Sequence, residues 1–223
     1  MWWADLNDVR AARVELLDGV ESARRDRYLR AEDRDRFTLG VVLSRVALGA
    51  ALGLPPQRVP LDRTCPKCGR PHGAPRVEGG PYLSVSHSGD RVAVAMSHGG
   101  PVGVDVEASG REPADNLAAH VLSPAEAARH GTLDPAGFLT YWTRKEAVLK
   151  VTGDGLAVPM PDLTVSAPDE PPRLLAWPDR PAVPPRITLH TLSPGPAHTA
   201  CLALLDQPEI LVREYPPSSV RWR

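Results

Sequence analysis

The chain is poor in aromatic residues and in cysteine, and it carries almost no net charge. Aromatic side chains make up 5% of the 223 residues, so we expect a mainly aliphatic core. Lys and Arg number 26 and Asp and Glu 27, which leaves no bulk charge to attract nucleic acid. The three cysteines are an odd count, which favours free thiols in a reducing cytoplasm.

The sequence also lacks a long apolar run and a visible targeting segment. The longest apolar stretch, 41–54, is interrupted by Arg45 and is too short to span a bilayer. The opening Met-Trp-Trp-Ala-Asp has neither the basic nor the apolar segment of a secretory signal. We therefore expect a cytoplasmic protein with no membrane partner.

Proline and glycine, in contrast, are abundant at 25 and 18 residues, and they divide the chain into short elements. Gly53 and Gly153 end the two most apolar helices, and Ser123 with Glu126 forms a capping-box signature. Residues 1–20 give mixed signals. The predicted helices are 21–36 (as one helix or two short ones), 37–52, 113–120, 124–130 and 138–150. The predicted strands are 82–86, 91–97, 102–107, 163–167, 173–177, 187–192 and 199–205.

The helix 138–150 carries a charged pair next to an apolar face. Glu146 and Lys150 are spaced i, i+4, so they project one turn apart from the same face, and Trp142 lies one turn before Glu146. Such a pair alone is most often a solvent-exposed ion pair on an amphipathic helix, with no functional role.

Two carboxylates in the strand 102–107 share one face. Asp105 and Glu107 alternate with valines, so their side chains point the same way and repel unless a cation or proton lies between them. A hard ion such as Mg²⁺ takes oxygen ligands and keeps water and phosphate oxygens in its shell. The alternative is an edge strand with a solvated acidic face.

Three further motifs each have two interpretations. The turn 84–89 contains serines and His87 and either holds a phosphate or is a hairpin with a surface histidine. A set of six arginines either receives an anion or forms a solvated helix face. Its members are Arg24, Arg25, Arg27, Arg30, Arg34 and Arg36. Cys65, Cys68 and His72 have zinc-site spacing without an evident fourth ligand, and we favour a loop staple or free thiols.

The two halves of the chain share a pattern. In each half a polar lead-in precedes an apolar helix that ends near Gly-Leu and Pro, at 28–55 and at 121–159. A histidine-containing turn then precedes an apolar strand, at 86–96 and at 197–204. This pattern predicts a duplicated helix-plus-strands unit with a pseudo-two-fold axis and a ligand cleft between the halves.

Three motifs follow one another along the chain: Ser-His-Ser at 86–88, Gly-Val-Asp-Val-Glu at 103–107 and Trp-x₂-Lys-Glu-Ala-x₂-Lys at 142–150. Taken together, they resemble the 4'-phosphopantetheinyl transferases of the surfactin-synthetase type, within the holo-carrier-protein synthase superfamily. Gly-Leu at 155–156 also fits, and the resemblance covers about 24–159. The composition, rich in proline and arginine, resembles that of an actinobacterial member.

The resemblance implies an α+β monomer of two similar subdomains, 1–101 and 102–223. Each is a helix packed on a small, mainly antiparallel sheet, with coenzyme A in the cleft between them. The implied reaction is Mg²⁺-dependent transfer of 4'-phosphopantetheine from coenzyme A to a serine of an acyl or peptidyl carrier protein, with release of adenosine 3',5'-bisphosphate. Fatty-acid, polyketide and peptide synthases all remain open as clients, and so does Mn²⁺ in place of Mg²⁺.

The resemblance also assigns residues to roles. Asp105, Glu107 and Glu146 hold the metal, and Glu146 serves as the base for the serine or positions it. Lys150 contacts the phosphate near the transferred group. The remaining coenzyme A contacts are Ser86, His87 at the 3'-phosphate, Arg36 for the same phosphate, and Arg24 or Arg25 as a less close match. Where the family often carries Gly-Lys-Pro, this chain has Gly-Ala-Pro at 73–75, so Arg70 or Arg76 would replace the lysine.

Two other functions are compatible with the same residues. A metal-dependent phosphohydrolase would use Asp105, Glu107 and Glu146 with water as the nucleophile. A zinc-knuckle module would bind nucleic acid or protein through Cys65, Cys68 and their neighbour His72. The near-neutral charge argues against nucleic acid as a partner.

Overall fold

The structure is a computed structural model that describes residues 1–10, 12, 14–110, 117–129 and 133–219. The chain forms two compact units, one of Met1–Gly99 with Val212–Arg223 and one of Gly100–Leu211. The sequence predicted a division into 1–101 and 102–223. The structure differs from this prediction in the C-terminal segment, Val212–Arg223, which joins the first unit. It lies with the first unit because Tyr215 exchanges backbone hydrogen bonds with Met1 and Trp3, both at 2.9 Å.

The first unit is a long helix on a three-stranded antiparallel sheet. The strands lie in the order β1-β3-β2, and α2 packs on all of them. Its elements are β1 (Trp2–Asp5), α1 (Gly19–Arg25), α2 (Ala31–Leu52), β2 (Tyr82–Ser88) and β3 (Arg91–Ser97). The core is mainly aliphatic, with Leu39, Val42 and Leu48 fully buried.

Helix α2 begins six residues before the predicted 37–52, and it ends as predicted at Gly53, whose φ is 66°. The charged stretch predicted as helix over 21–36 is interrupted between Arg25 and Ala31. Arg45, the charge inside the apolar run, is buried and paired with the Glu21 carboxylate at 2.8 Å. This pairing explains how an apolar core helix accommodates a cation.

The second unit repeats the plan of a helix on a three-stranded antiparallel sheet, ordered β4-β8-β7, with α5 packed on β4 and β8. Strands β5 and β6 form a separate pair. Its elements are β4 (Val102–Ala108), α3 (Leu117–Val121), α4 (Pro124–Arg129), α5 (Pro135–Thr152), β5 (Thr164–Val165), β6 (Leu174–Ala176), β7 (Ile187–Thr191) and β8 (His198–Leu205). Residues 113–116 of the predicted helix 113–120 lie outside the described residues.

Most of the element predictions are confirmed, and so is the α+β fold class. The capping box is present, since Ser123 N donates to Glu126 Oε2 at 2.7 Å and Glu126 N donates to Ser123 Oγ at 3.3 Å. None of the described helices combines the length and the apolar character needed to cross a membrane.

Candidate active site

The acidic face of β4 lies against helix α5. A Cβ added to Gly103 would be 2.2 Å from the carbonyl oxygen of Ala147 and 2.6 Å from the backbone nitrogen of Val151. Side chains alternate along a strand, so Asp105 and Glu107 project from the same face as this missing Cβ. The glycine therefore lets α5 lie directly on the strand face that carries both carboxylates. Within the sequence motif 103–107, Gly103 had no predicted role of its own.

Lys150 of α5 joins the helix to the acidic strand. Its Nζ donates to Asp105 Oδ1 at 2.7 Å and to the carbonyl oxygen of Val104 at 3.0 Å. The Asp105 side chain is almost fully buried, at 4% exposure, while Lys150 is 27% exposed. The helical spacing predicted a Glu146–Lys150 pair on one face, and the structure pairs Lys150 with Asp105 of another element. The Lys150 charge is thus held beside the strand carboxylates.

Glu146 is half-buried and feels both strand carboxylates. Burial raises the pKa of its carboxyl, the charge of Asp105 raises it further, Lys150 lowers it and Glu107 adds a smaller increase. These three acidic residues and Lys150 therefore form one electrostatically coupled group. Three carboxylates against one ammonium leave an excess of negative charge, which a cation would neutralise.

The carboxylates are not packed as tightly as the ligands of a bound ion. In the described ranges, the only set of three or more His, Cys, Asp or Glu residues with ligand atoms within 4.8 Å of one another is Cys65, Cys68 and His72. At least one pair among the three carboxylates is therefore farther apart. Their oxygen donors still suit Mg²⁺, which normally keeps several waters or phosphate oxygens among its ligands. The donor chemistry fits the ion, and a partly open ligand shell fits the spacing.

Lys145 has a structural role that the sequence did not reveal. It is fully buried, and its Nζ donates to Glu126 Oε2 at 2.5 Å, to Val121 O at 2.6 Å and to Met160 O at 3.2 Å. Adjacent positions on a helix point about 100° apart, so Lys145 turns away from the face of Glu146. It fixes the segments before and after α5 to the helix that carries the acidic site. The sequence marked Glu126 only as a capping residue, and its burial, which creates the need for a cationic partner, is visible only in the structure.

In the first unit, the connection between the predicted strands 82–86 and 91–97 is shorter than expected. Strand β2 continues through His87 and Ser88, and the turn consists of Gly89, with φ of 57°, and Asp90. His87 is exposed, whereas Ser86 is buried at 8% exposure, as expected for neighbours on opposite faces of a strand. The structure therefore does not bring Ser86 and His87 to one face.

Arg36 lies at the β2–β3 turn beside His87. Its Nη1 donates to the carbonyl oxygen of Gly89 at 2.5 Å, and its Nη2 donates to Asp33 Oδ1 at 2.6 Å. The Arg36 hydrogen bond holds the pKa of the Asp33 carboxyl below its usual range, and the charge of His87 adds a smaller decrease. Arg36 is thus paired with Asp33 at the β2–β3 turn, and the charge of His87 also acts on this carboxylate.

A basic cavity of about 860 Å³ lies elsewhere in the first unit. Its lining includes Arg24, Arg27, Arg70 and His72. Arg76, in contrast, is engaged at the surface, where its Nε and Nη2 donate to Asp62 Oδ2 at 2.8 and 2.7 Å. Of the two arginines considered as replacements for the family lysine, Arg70 is the one that lines the cavity.

Residues 101–201, which carry the acidic strand and α5, match the family model of the 4'-phosphopantetheinyl transferase superfamily. The chain is 34% identical over 147 residues to 4'-phosphopantetheinyl transferase HetI of Nostoc, covering 63% of this chain and 61% of HetI. It is 28% identical over 150 residues to a 4'-phosphopantetheinyl transferase of Bacillus subtilis, covering 65% and 63%. It is 29% identical over 203 residues to 4'-phosphopantetheinyl transferase psf-1 of Bacillus pumilus, covering 86% and 82%. The chain thus spans about three fifths of the length of the first two relatives.

Proposed function

We propose that this chain, whose residues 101–201 match the family model of the 4'-phosphopantetheinyl transferase superfamily, transfers 4'-phosphopantetheine from coenzyme A to a serine of an acyl or peptidyl carrier protein. Adenosine 3',5'-bisphosphate is the second product. We place the chain in the surfactin-synthetase type, as a monomer of the cytoplasm. The observation that carries the proposal is the contact of Lys150 with Asp105 beside Glu107 and Glu146, inside the segment that matches the family.

Asp105, Glu107 and Glu146 would hold Mg²⁺ in this proposal. When bound, the ion supplies positive charge to the pyrophosphate of coenzyme A. The protein side chains supply the fixed framework, since Gly103 lets α5 approach β4 and Lys150 ties the two elements together. Preorganised charge of this kind makes the largest single contribution to the rate enhancement of many enzymes.

The reaction requires a base and a neutralised leaving group. The serine hydroxyl oxygen attacks the β-phosphorus of coenzyme A, the bond from that phosphorus to the bridging oxygen breaks, and the adenosine bisphosphate leaves with the bonding electrons. Glu146 is the carboxylate that takes the serine proton, or that positions the group which does. Lys150 is partly exposed and donates to the phosphate near the transferred group.

The cationic residues of the first unit would bind the other phosphates of coenzyme A. We assign the 3'-phosphate to Arg36 and His87. Arg36 is paired with the Asp33 carboxylate and would exchange part of that contact for the ligand. Ser86 remains a proposed phosphate contact. Arg24 and Arg70 line the basic cavity and are further candidates, whereas Arg76 would first have to leave Asp62.

Nucleotide release separates the transferase from the phosphohydrolase that the same carboxylates would allow. The purified chain is incubated with coenzyme A and Mg²⁺, with and without an apo carrier protein, and adenosine 3',5'-bisphosphate is measured by chromatography. We expect release only when the carrier is present and in equal amount to the modified carrier. Release at the same rate without a carrier would replace this proposal with hydrolysis.

A further inference from the structure

The loop 62–76 of the first unit is closed at its base by paired backbone. Asp62 N donates to Arg76 O at 2.8 Å, Arg76 N donates to Asp62 O at 2.9 Å, and Gly73 N donates to Arg63 O at 2.7 Å. A Cβ on Gly73 would lie 3.0 Å from the carbonyl oxygens of Arg63 and Thr64. The two sides of the loop are therefore in direct contact, and glycine permits the close approach.

A tight turn at the tip directs backbone N–H groups towards a cysteine sulfur. Cys65 N donates to Arg70 O at 2.8 Å, and Gly69 N donates back to Cys65 O at 2.8 Å. Gly69 has a φ of 71°, which suits glycine at the end of the turn. The backbone N–H groups of Lys67 and Cys68 both point at the Cys65 sulfur. The turn therefore holds the Cys65 sulfur close to the backbone of Lys67 and Cys68.

The turn brings three metal-ligand side chains together. The Sγ atoms of Cys65 and Cys68 and a ring nitrogen of His72 all lie within 4.8 Å of one another, and Cys68 Sγ is 2.9 Å from His72 Nε2. Around a tetrahedral zinc, with Zn–S near 2.3 Å and Zn–N near 2.0 Å, such atoms are about 3.5–3.8 Å apart. Small side-chain rotations would therefore reach zinc geometry from these positions.

We propose that Cys65, Cys68 and His72 bind one Zn²⁺ ion, with water as the fourth ligand. Two thiolates and an imidazole form a soft-to-borderline donor set that selects zinc over Mg²⁺. Most residues of the loop are exposed, Cys68 and His72 among them, so a metal would add a stabilising link at its tip beyond the backbone pairing at its base. The sequence alone favoured a loop staple or free thiols over zinc. The geometry of the three side chains now favours zinc.

The proposed zinc would also fix one wall of the basic cavity. Arg70 lies between the second and third ligands in sequence, and both Arg70 and His72 line the cavity together with Arg24. Arg24 Nη1 also donates to the carbonyl oxygen of Pro71 at 3.3 Å. A metal that holds the loop therefore holds Arg70 beside Arg24. The zinc would act structurally.

Metal analysis of the untagged protein tests the proposal. We expect about one zinc per chain in the wild type, and less than roughly a tenth of that in Cys65→Ser, Cys68→Ser and His72→Ala. Matched controls are Cys201→Ala, which removes the buried thiol of β8, and His98→Ala, which removes an exposed histidine outside the loop. Both controls should keep the full zinc content. Circular dichroism identifies any variant that fails to fold.

Cobalt provides a second readout that does not depend on the purification history. The zinc is removed with a chelator and Co²⁺ is added to the folded chain. We expect thiolate-to-cobalt absorption and the intense visible bands of a tetrahedral site, both lost in Cys68→Ser and kept in Cys201→Ala. Little zinc together with no cobalt–thiolate absorption in the wild type would overturn the proposal. Equal zinc content in the loop variants, or a Cys65–Cys68 disulfide in protein purified with zinc, would also overturn it.

Discussion

Replacing Gly103 with alanine should displace α5 from the acidic strand. The new Cβ would lie 2.2 Å from Ala147 O and 2.6 Å from Val151 N, and ordinary van der Waals contact begins at 3.4 Å. The strand or the helix must therefore move by about 1.2 Å, because both clashing atoms belong to the helix backbone and no side-chain rotation relieves them. Overpacking of this kind costs about 1–3 kcal/mol, and we expect a cost at the upper end.

The same displacement should reduce turnover per folded molecule, beyond any loss of activity caused by unfolding. Glu146 and Lys150 move with α5, whereas Asp105 stays with β4, so the group that would hold the reacting phosphate loses its geometry. A misplacement of about 1 Å costs roughly 10²-fold in rate. The assay is carrier modification per folded molecule, with the free energy of unfolding measured by urea denaturation in parallel.

Two other glycines serve as controls for this substitution. A Cβ on Gly19, at the start of α1, would meet nothing within 4 Å, and one on Gly40 of α2 would meet Val85 Cγ1 at 3.2 Å, a side chain that can adjust. Both alanine variants should keep near-normal turnover. If Gly103→Ala matched them in stability and stayed within about twofold of wild-type turnover, the account of how α5 reaches the strand would be wrong.

Three further predictions follow from particular contacts. Lys145→Met leaves the Glu126 carboxylate buried without its cation, so the free energy of unfolding measured by urea denaturation should fall by about 3–5 kcal/mol. Adding Glu126→Gln should recover part of this loss, and an unchanged urea midpoint in Lys145→Met would contradict the pair's role. Arg36→Ala and His87→Ala should each weaken the binding of coenzyme A by roughly 1.5–3 kcal/mol, as measured by calorimetry, and should weaken the binding of dephospho-coenzyme A far less. Equal losses for the two ligands would show that neither residue contacts the 3'-phosphate. Burial raises the pKa of the Cys201 thiol to about 12. At pH 8, with a chelator present, iodoacetamide should therefore label Cys65 and Cys68 in the folded chain and Cys201 only after unfolding, as mapped by peptide mass. Early labelling of Cys201 would contradict its burial.

Local patterns were sufficient for most of the secondary structure. Strand β3 occupies the predicted 91–97, and Gly153 ends α5 in the left-handed conformation that its position after the helix predicted. Residues 31–36 were predicted as helix but were assigned to the charged stretch 21–36, because the apolar period that marks the rest of α2 begins only at Phe37. Glu, Arg and Ala are nevertheless good helix formers.

Contacts between distant parts of the chain were beyond the sequence analysis. Strand β1 exists because it pairs with β3, about ninety positions later, and no local pattern in residues 1–20 announces that pairing. The acidic pattern identified Asp105 and Glu107 as partners on one face, but it gave no distance between them and Glu146. The roles of Gly103 and Lys145 depend on what packs against them, which only the folded chain reveals.

The modification of a carrier protein tests the central claim most directly. Apo carrier protein, coenzyme A and Mg²⁺ are incubated with the wild-type chain, and the intact mass of the carrier is recorded over time. We predict a mass increase of one phosphopantetheine, absent when the carrier serine is replaced by alanine. With Glu146→Gln the increase should nearly vanish, although coenzyme A still binds. An unmodified carrier with the folded wild-type chain, or equal modification by Glu146→Gln, would contradict the account.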